Sequence, residues 1–305
     1  MQFRTKIVDD VKHIELISDD NILFSFAPDH GARLTELAFK QDDKLTSVLW
    51  EVSPDDCKTG EWCKNEILFP FPNRIDGGKY QFSGKEYQFP INEEKLNNAL
   101  HGMLRMEAFE VVDQTADENE ASVTLRYNYL GDKEYYPFPF TFDISYKYGL
   151  TNTFTVVFKI NNEGKEALPF GLGWHPYFKL GDSLSSVQLD LPDTDHLILG
   201  ERNLPTGEEK SFNHNKLALE DFSLDDCLRL KNGKVKYQLS SDSIRLKMEG
   251  SKEYRYLQLF TPEGLGTVAV EPMTSGVNTF NNKEGLRQLE AGELFEVFFT
   301  ISVDH

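Results

Sequence analysis

The chain has 305 residues, of which 39% are hydrophobic and 12% aromatic, with 50 acidic against 32 basic side chains and a formal net charge of -18. Such a length can bury a sizeable core, and such a charge excludes a general binder of nucleic acid or of an anionic membrane, because phosphate attraction requires basic surface. Three cysteines (Cys57, Cys63 and Cys227) make an odd number without framework spacing, which points to a reducing compartment.

The first ten residues lack the apolar core of a signal peptide, and no apolar stretch approaches the ~20 residues that span a bilayer. A cytoplasmic chain is therefore expected. Segments 51–79 and 85–107 follow without a clear period but rich in Phe, Trp, Pro and Gly, with a short helical pattern at 93–99. Period-two alternation then marks strands at 122–129, 140–146 and 154–160. A third irregular segment covers 161–183, and a second weak helical pattern covers parts of 213–222. Further alternating runs occupy 235–239, 244–248, 256–260 and 294–301, separated by turn signals such as Asn232-Gly233, Pro262-Glu263-Gly264 and Ala291-Gly292-Glu293. The irregular segment 271–292 precedes the last of them. Repeated strands with close-set turns, no βα alternation, no internal repeat and no linker predict one all-β domain over 1–305, an antiparallel sandwich or barrel. Long ordered-looking loops in such a domain are usually functional.

Six polar residues in or beside these loops stand out. His175 lies in Gly171-Leu172-Gly173-Trp174-His175-Pro176-Tyr177-Phe178, where two glycines allow close backbone approach and a proline fixes the turn. It is either a satisfied core histidine or a ring aimed into a cavity. His101, in Leu100-His101-Gly102, has the same character in a weaker context. Glu271 ends the run from Gly266 to Val270, and Pro272 is expected to stop the strand and leave the carboxylate at a rim. Asn73 and Arg74 follow the apolar run 68–72. Arg74 either caps the core with a salt bridge or offers its donor fork to a hydroxyl. Asp225, in Leu224-Asp225-Asp226, reads by default as a turn acid. There is no glycine-rich phosphate loop, no His-Glu-x-x-His, no serine elbow and no zinc spacing, so no metal and no cofactor is expected.

The order Pro72-Asn73-Arg74-Ile75, Leu100-His101-Gly102, Gly173-Trp174-His175-Pro176-Tyr177-Phe178, Leu224-Asp225-Asp226 and Val270-Glu271-Pro272 resembles the aldose 1-epimerase (galactose mutarotase) family over nearly the whole chain. The stretch Met273-Thr274-Ser275-Gly276-Val277-Asn278 is closer to its LacX-like and hexose-phosphate-epimerase-like branch. The resemblance implies a large β-sandwich of the supersandwich type. It also implies Glu271 as general base, His175 as general acid and His101 as a second active-site histidine on the ring oxygen. Arg74, Asn73 and Asp225 would bind hydroxyls, and Trp174 or Tyr177 would wall a sugar face. The implied activity is interconversion of hexose anomers, with a small-molecule sugar as the partner. The alternatives are a hexose-6-phosphate 1-epimerase, with Arg74, Lys64, Lys79 and Arg105 as the nearby cations, and a non-catalytic sugar-binding protein on the same fold.

Overall fold

In the computed structural model, which describes residues 1–41, 44–233 and 235–303, each of the alternating runs falls on a β-strand, and all the paired strands run antiparallel. A nine-stranded sheet carries most of them, in the order Glu110–Ala116, Glu120–Tyr129, Phe140–Gly149, Thr153–Asn162, Leu294–Val303, Arg245–Gly250, Lys236–Ser240, Gln188–Asp190 and Lys216–Ala218. Alternation turns one face of it inward. Phe140, Phe142, Ile144 and Tyr146 bury beside Phe154, Val156, Phe158 and Ile160 on the next strand, and Val297, Phe299 and Ile301 on the one after. Each such side chain removed from water stabilises the fold by roughly 1.5–3 kcal/mol. The cluster they form is continuous from Ile14 to Val303 and is shared with the other large sheets.

The first 47 residues add a five-stranded meander, Gln2–Val8, Val11–Ser18, Asn21–Ala27, Arg33–Gln41 and Lys44–Ser47. Its central strands are covered on both faces, so they lack the polar alternation by which the other strands are recognised. The helical pattern at 93–99 becomes a single 3-10 turn, Glu94–Leu96, ended by Asn97 at φ 52°, and then a strand, Asn98–Leu100. The pattern within 213–222 likewise resolves into the strand Lys216–Ala218 and the 3-10 turn Leu219–Asp221. Both stretches are too short to repay the cost of nucleating an α-helix. A true α-helical turn forms instead at Pro54–Thr59, where Ser53 and Asp56 make a reciprocal capping box. Among the described residues, no helix is long and apolar enough to cross a membrane.

The sheet that positions the polar residues has eight strands in the order Pro205–Phe212, Thr194–Leu199, Asp225–Leu230, Tyr256–Phe260, Val268–Met273, Gly173–Trp174 and Ile67–Leu68, with Tyr177–Phe178 also paired to Val268–Met273. One face of it feeds the shared core through Leu228, Leu257, Leu259, Val268, Val270, Trp174 and Phe178. The other face holds the candidate site.

Candidate functional site

Directly opposed residues of an antiparallel pair point to the same face of the sheet. Gln258 stands opposite Glu271, Cys227 opposite Gln258, and Tyr177 opposite Ala269, so Asp225, Gln258, Phe260, Glu271 and Tyr177 all project from one side. His175 joins them, two residues from Gly173 and two from Tyr177. The glycines before it act as expected. A Cβ at Gly171 would run into Ser275 Oγ, and one at Gly173 into the Pro72 ring. Close packing of Pro72 and Ser275 on these two glycines thus fixes the backbone that leads into His175.

Glu271 corrects the expectation of a rim carboxylate. The strand Val268–Met273 runs on through Pro272, and Glu271 is 1% exposed. A proline fits there because the neighbouring strand is interrupted. Val270 N donates to the Pro176 carbonyl and Thr274 N to the Leu172 carbonyl, so the nitrogen of residue 272 faces the gap between Trp174 and Tyr177. No ladder hydrogen bond is lost.

The floor of the site is a pair. His175 Nε2 lies 3.4 Å from Glu271 Oε1, while His175 Nδ1 and Glu271 Oε2 have no protein hydrogen-bond partner among the described residues. His101 meets His175 edge to face with ring centroids 5.2 Å apart. Its own geometry is set by the backbone. His101 has φ 65°, and Gly102 at φ 71° passes so close to the Phe69 carbonyl that a side chain there would overlap it. His101 Nδ1 donates to the Pro72 carbonyl at 2.7 Å, which leaves Nε2 as an acceptor when the ring is neutral. The rim is a hydrogen-bonded chain. Asn73 Nδ2 donates to Gln258 Oε1 at 3.2 Å, Gln258 Nε2 donates to Asp225 Oδ1 at 2.9 Å, and Arg74 is held by Glu93 through Nε and Nη2 at 2.9–3.1 Å.

Electrostatics follow from burial. Burial raises the Glu271 carboxyl well above the usual carboxylate range, nearby Asp225 raises it further, and Arg74 opposes both. Burial lowers His175 to about 3, with Arg105 acting in the same direction. It also carries His101 well below the ordinary imidazole range, helped by His175 and Arg105. Asp225, at the solvent-facing mouth, is raised by partial burial and lowered by Arg74. Beneath the histidines, fully buried Arg33 pairs with fully buried Glu66, which also pairs with Arg105. The Glu66 carbonyl accepts from His175 N, and Asn65 Oδ1 accepts from Tyr177 N, so this charged cluster is clamped to the His175 segment.

The open-mouthed cavity measures about 200 Å³ and brings together Asn73, Arg74, His101, His175, Asp225 and Glu271. Trp174 is not among its lining residues. It occupies the opposite face of the sheet, fully buried, with its ring against Phe299 and Nε1 donating to the Asn65 carbonyl. The aromatic wall comes instead from Tyr177, Phe260 and Trp62. Gln258 and Cys63 also line the cavity, the latter with its thiol pushed up to about 12 by burial. A signal for Gln258 exists in the sequence, where one amide interrupts the apolar run Tyr256-Leu257-Gln258-Leu259-Phe260. Trp62, in a turn without periodicity, carries none. Among the described residues, no group of three or more His, Cys, Asp or Glu side chains is placed to hold a metal ion.

A model of the aldose 1-epimerase family matches residues 13–302. The uncharacterized protein YihR of Escherichia coli (strain K12) is 29% identical over 244 residues, covering 77% of this chain and 78% of its own. A galactose mutarotase-like protein from Clostridium acetobutylicum superposes with a TM-score of 0.87 at 23% identity, over 100% of this chain and 98% of that one. A galactose 1-epimerase from Lactobacillus acidophilus NCFM superposes with a TM-score of 0.80 at 16% identity, over 99% and 98% of the two chains, a likeness of fold. The chain belongs to the aldose 1-epimerase family.

Proposed function

We propose that this member of the aldose 1-epimerase family interconverts the α and β anomers of a neutral hexose, with Glu271 and His175 as its proton-transfer pair. The observation that carries the reading is their 3.4 Å contact on the floor of a cavity whose rim offers hydroxyl-binding groups. A carboxyl and an imidazole in contact share one proton over a wide pH range, since one is raised and the other lowered. Carboxylate with imidazolium has the same proton count as neutral acid with neutral ring. Sugar hydroxyls that hydrogen-bond the pair favour the charged arrangement.

In ring opening, Glu271 takes the proton of the anomeric hydroxyl as its oxygen becomes the carbonyl. The C1–O5 bond breaks with its electron pair going to O5, and His175 delivers a proton there. Rotation about C1–C2 presents the other carbonyl face. Closure runs the same steps backward, with His175 recovering its proton and Glu271 returning one to O1. Each positioned transfer contributes on the order of 10²–10⁴-fold.

His101 takes a role different from holding the ring oxygen. Its Nδ1 proton is committed to Pro72, so neutral Nε2 accepts from a sugar hydroxyl and cannot donate to O5. Arg74, Asn73 and Asp225 orient the remaining hydroxyls. The cations nearest the cavity favour a neutral hexose over a phosphorylated one. Arg74 is paired with Glu93, Arg105 with Glu66 and Lys64 with Asp56, while Lys79 lies on a neighbouring groove. A sugar-binding protein without catalysis would not require the buried acid–imidazole contact. Saturation-transfer NMR on galactose, glucose and glucose 6-phosphate tests the proposal. Exchange of a neutral hexose faster than in buffer supports it, and binding without acceleration refutes it.

A further inference from the structure

We propose that the outer face of the nine-stranded sheet is a self-complementary surface on which a second copy of this chain docks, giving a homodimer whose two-fold axis crosses the strands at Phe298. The inference goes beyond the proposed activity and does not depend on it.

The first observation is the chemistry of the face. Glu120–Tyr129, Phe140–Gly149, Thr153–Asn162 and Leu294–Val303 are four adjacent strands of ten residues each, and every second side chain turns away from the core. In the middle of the last of them stands Phe298, 44% exposed and the most exposed of the 23 phenylalanines, with Val157 opposite it on the next strand. Beside them lie hydroxyls joined across strands, Thr124 to Ser145 at 2.8 Å and Thr155 to Thr300 at 2.9 Å. The outward charges of these strands are three acids (Glu120, Asp143, Glu296) and three bases (Arg126, Lys147, Lys159). This area is therefore neutral in a chain whose net charge is -18, so two copies that repel each other elsewhere can meet here.

The second observation is the register. Thr124, Ser145, Val157 and Phe298 stand in one row across the four strands. Two residues to one side lies the row Arg126, Asp143, Lys159 and Glu296, and two residues to the other side the row Ser122, Lys147, Thr155 and Thr300. A two-fold axis along the Phe298 row lays each strand on its own copy in reverse and exchanges the flanking rows. Asp143 of one copy then meets Lys147 of the other, twice by symmetry. Arg126, Lys159 and Glu296 meet the hydroxyls of Ser122, Thr155 and Thr300, and Glu120 meets the Asn128 amide. Phe298 and Val157 lie on themselves, and no charge meets its own sign. The third observation is size. With one flanking strand on each side the surface spans roughly 29 Å by about 30 Å, or about 850 Å², against the ~800 Å² per partner of a standard interface. One face of each large sheet feeds the shared core, so this surface looks away from the cavity, and the dimer leaves both cavities open.

Sedimentation velocity on the full chain, from about 1 μM to about 200 μM, tests the proposal through the dimer's dependence on concentration. The wild type should approach twice its 35.0 kDa mass at the upper end. Phe298→Ser removes the apolar centre, and Lys147→Glu sets a carboxylate against Asp143 of the other copy. Each should raise the dimer Kd at least about tenfold. Thr300→Lys sets an ammonium against Glu296 of the other copy and should lower Kd about threefold, a gain that a misfolded variant would not give. A single species of 35.0 kDa over the whole range, or a dimer whose Kd all three variants leave unchanged, overturns the proposal.

Discussion

Glu271→Gln isolates the proposed chemistry because it changes one atom of a fully enclosed side chain. Glu271 stands at mid-sheet opposite Gln258, and the main-chain pairing of Tyr256–Phe260 with Val268–Met273 does not involve its carboxyl. Glutamine has the same shape, and its amide can donate to His175 Nε2 across the existing 3.4 Å contact. Stability at low pH, where the wild-type carboxyl is protonated, should therefore change by no more than about 1 kcal/mol. The sign with pH is fixed by burial. Because the folded-state carboxyl is raised, its contribution is intact at low pH and lost as pH rises through that raised value. Glutamine has no such dependence. The variant should gain in melting temperature relative to wild type as pH climbs above the unfolded carboxyl range, ~4.3. Catalysis should fall by about 10²–10⁴-fold, equivalent to roughly 3–5.5 kcal/mol of barrier. Polarimetric mutarotation and thermal melts at several pH values measure both. A variant with native melting that retains activity within about tenfold of wild type would refute the base assignment.

The pH profile of kcat/KM reports the free enzyme. The competent form carries one proton on the Glu271–His175 pair, so activity should have no rising limb until His175 titrates at about 3 and should fall only as pH passes the raised Glu271 value. A rising limb centred near ~6.5 would contradict it. Gly102→Ala places a Cβ against the Phe69 carbonyl at φ 71° and should destabilise by about 2–4 kcal/mol, measured by urea unfolding, with loss of the His101 geometry. An unchanged midpoint would contradict that close approach. Arg33→Met leaves the buried Glu66 with Arg105 alone and should cost about 3–5 kcal/mol of stability. A cost below about 1 kcal/mol would contradict the dependence of the buried cluster on Arg33.

The strands of the nine-stranded sheet were legible because each is buried on one face, as in Thr153–Asn162 with its strict alternation. The N-terminal meander was not, because burial on both faces removes the polar beat. At the site, the motif order identified residues that the fold brings to one cavity, His101, His175, Glu271, Arg74, Asn73 and Asp225. The errors came from neighbours whose effect is non-local. Pro272 reads as a terminator unless the gap in the adjacent strand is known. Trp174 reads as a wall beside His175, although period two sends it to the other face. The bland reading of His175 also had local support, since its surroundings are apolar. What separates the two readings is Glu271, distant in sequence, which the sheet register alone delivers.

That register also accounts for the division of labour within the cavity. Period-two alternation allows a strand only every second residue on the site face, so each strand contributes a few groups: Asp225 from one, Gln258 and Phe260 from the next, Glu271 from the third, His175 and Tyr177 from the interrupted one. The proposed proton-transfer pair depends on the interruption between Trp174 and Tyr177. The interruption accommodates Pro272 beside Glu271, while His175 keeps its backbone pairing to Asn65 and Glu66 on the other side. A regular strand there would restore one backbone pairing at the expense of the approach to Glu271. The regular strands thus supply Glu271, Gln258 and Asp225, and the irregular segments bring His175, His101 and Asn73 against them.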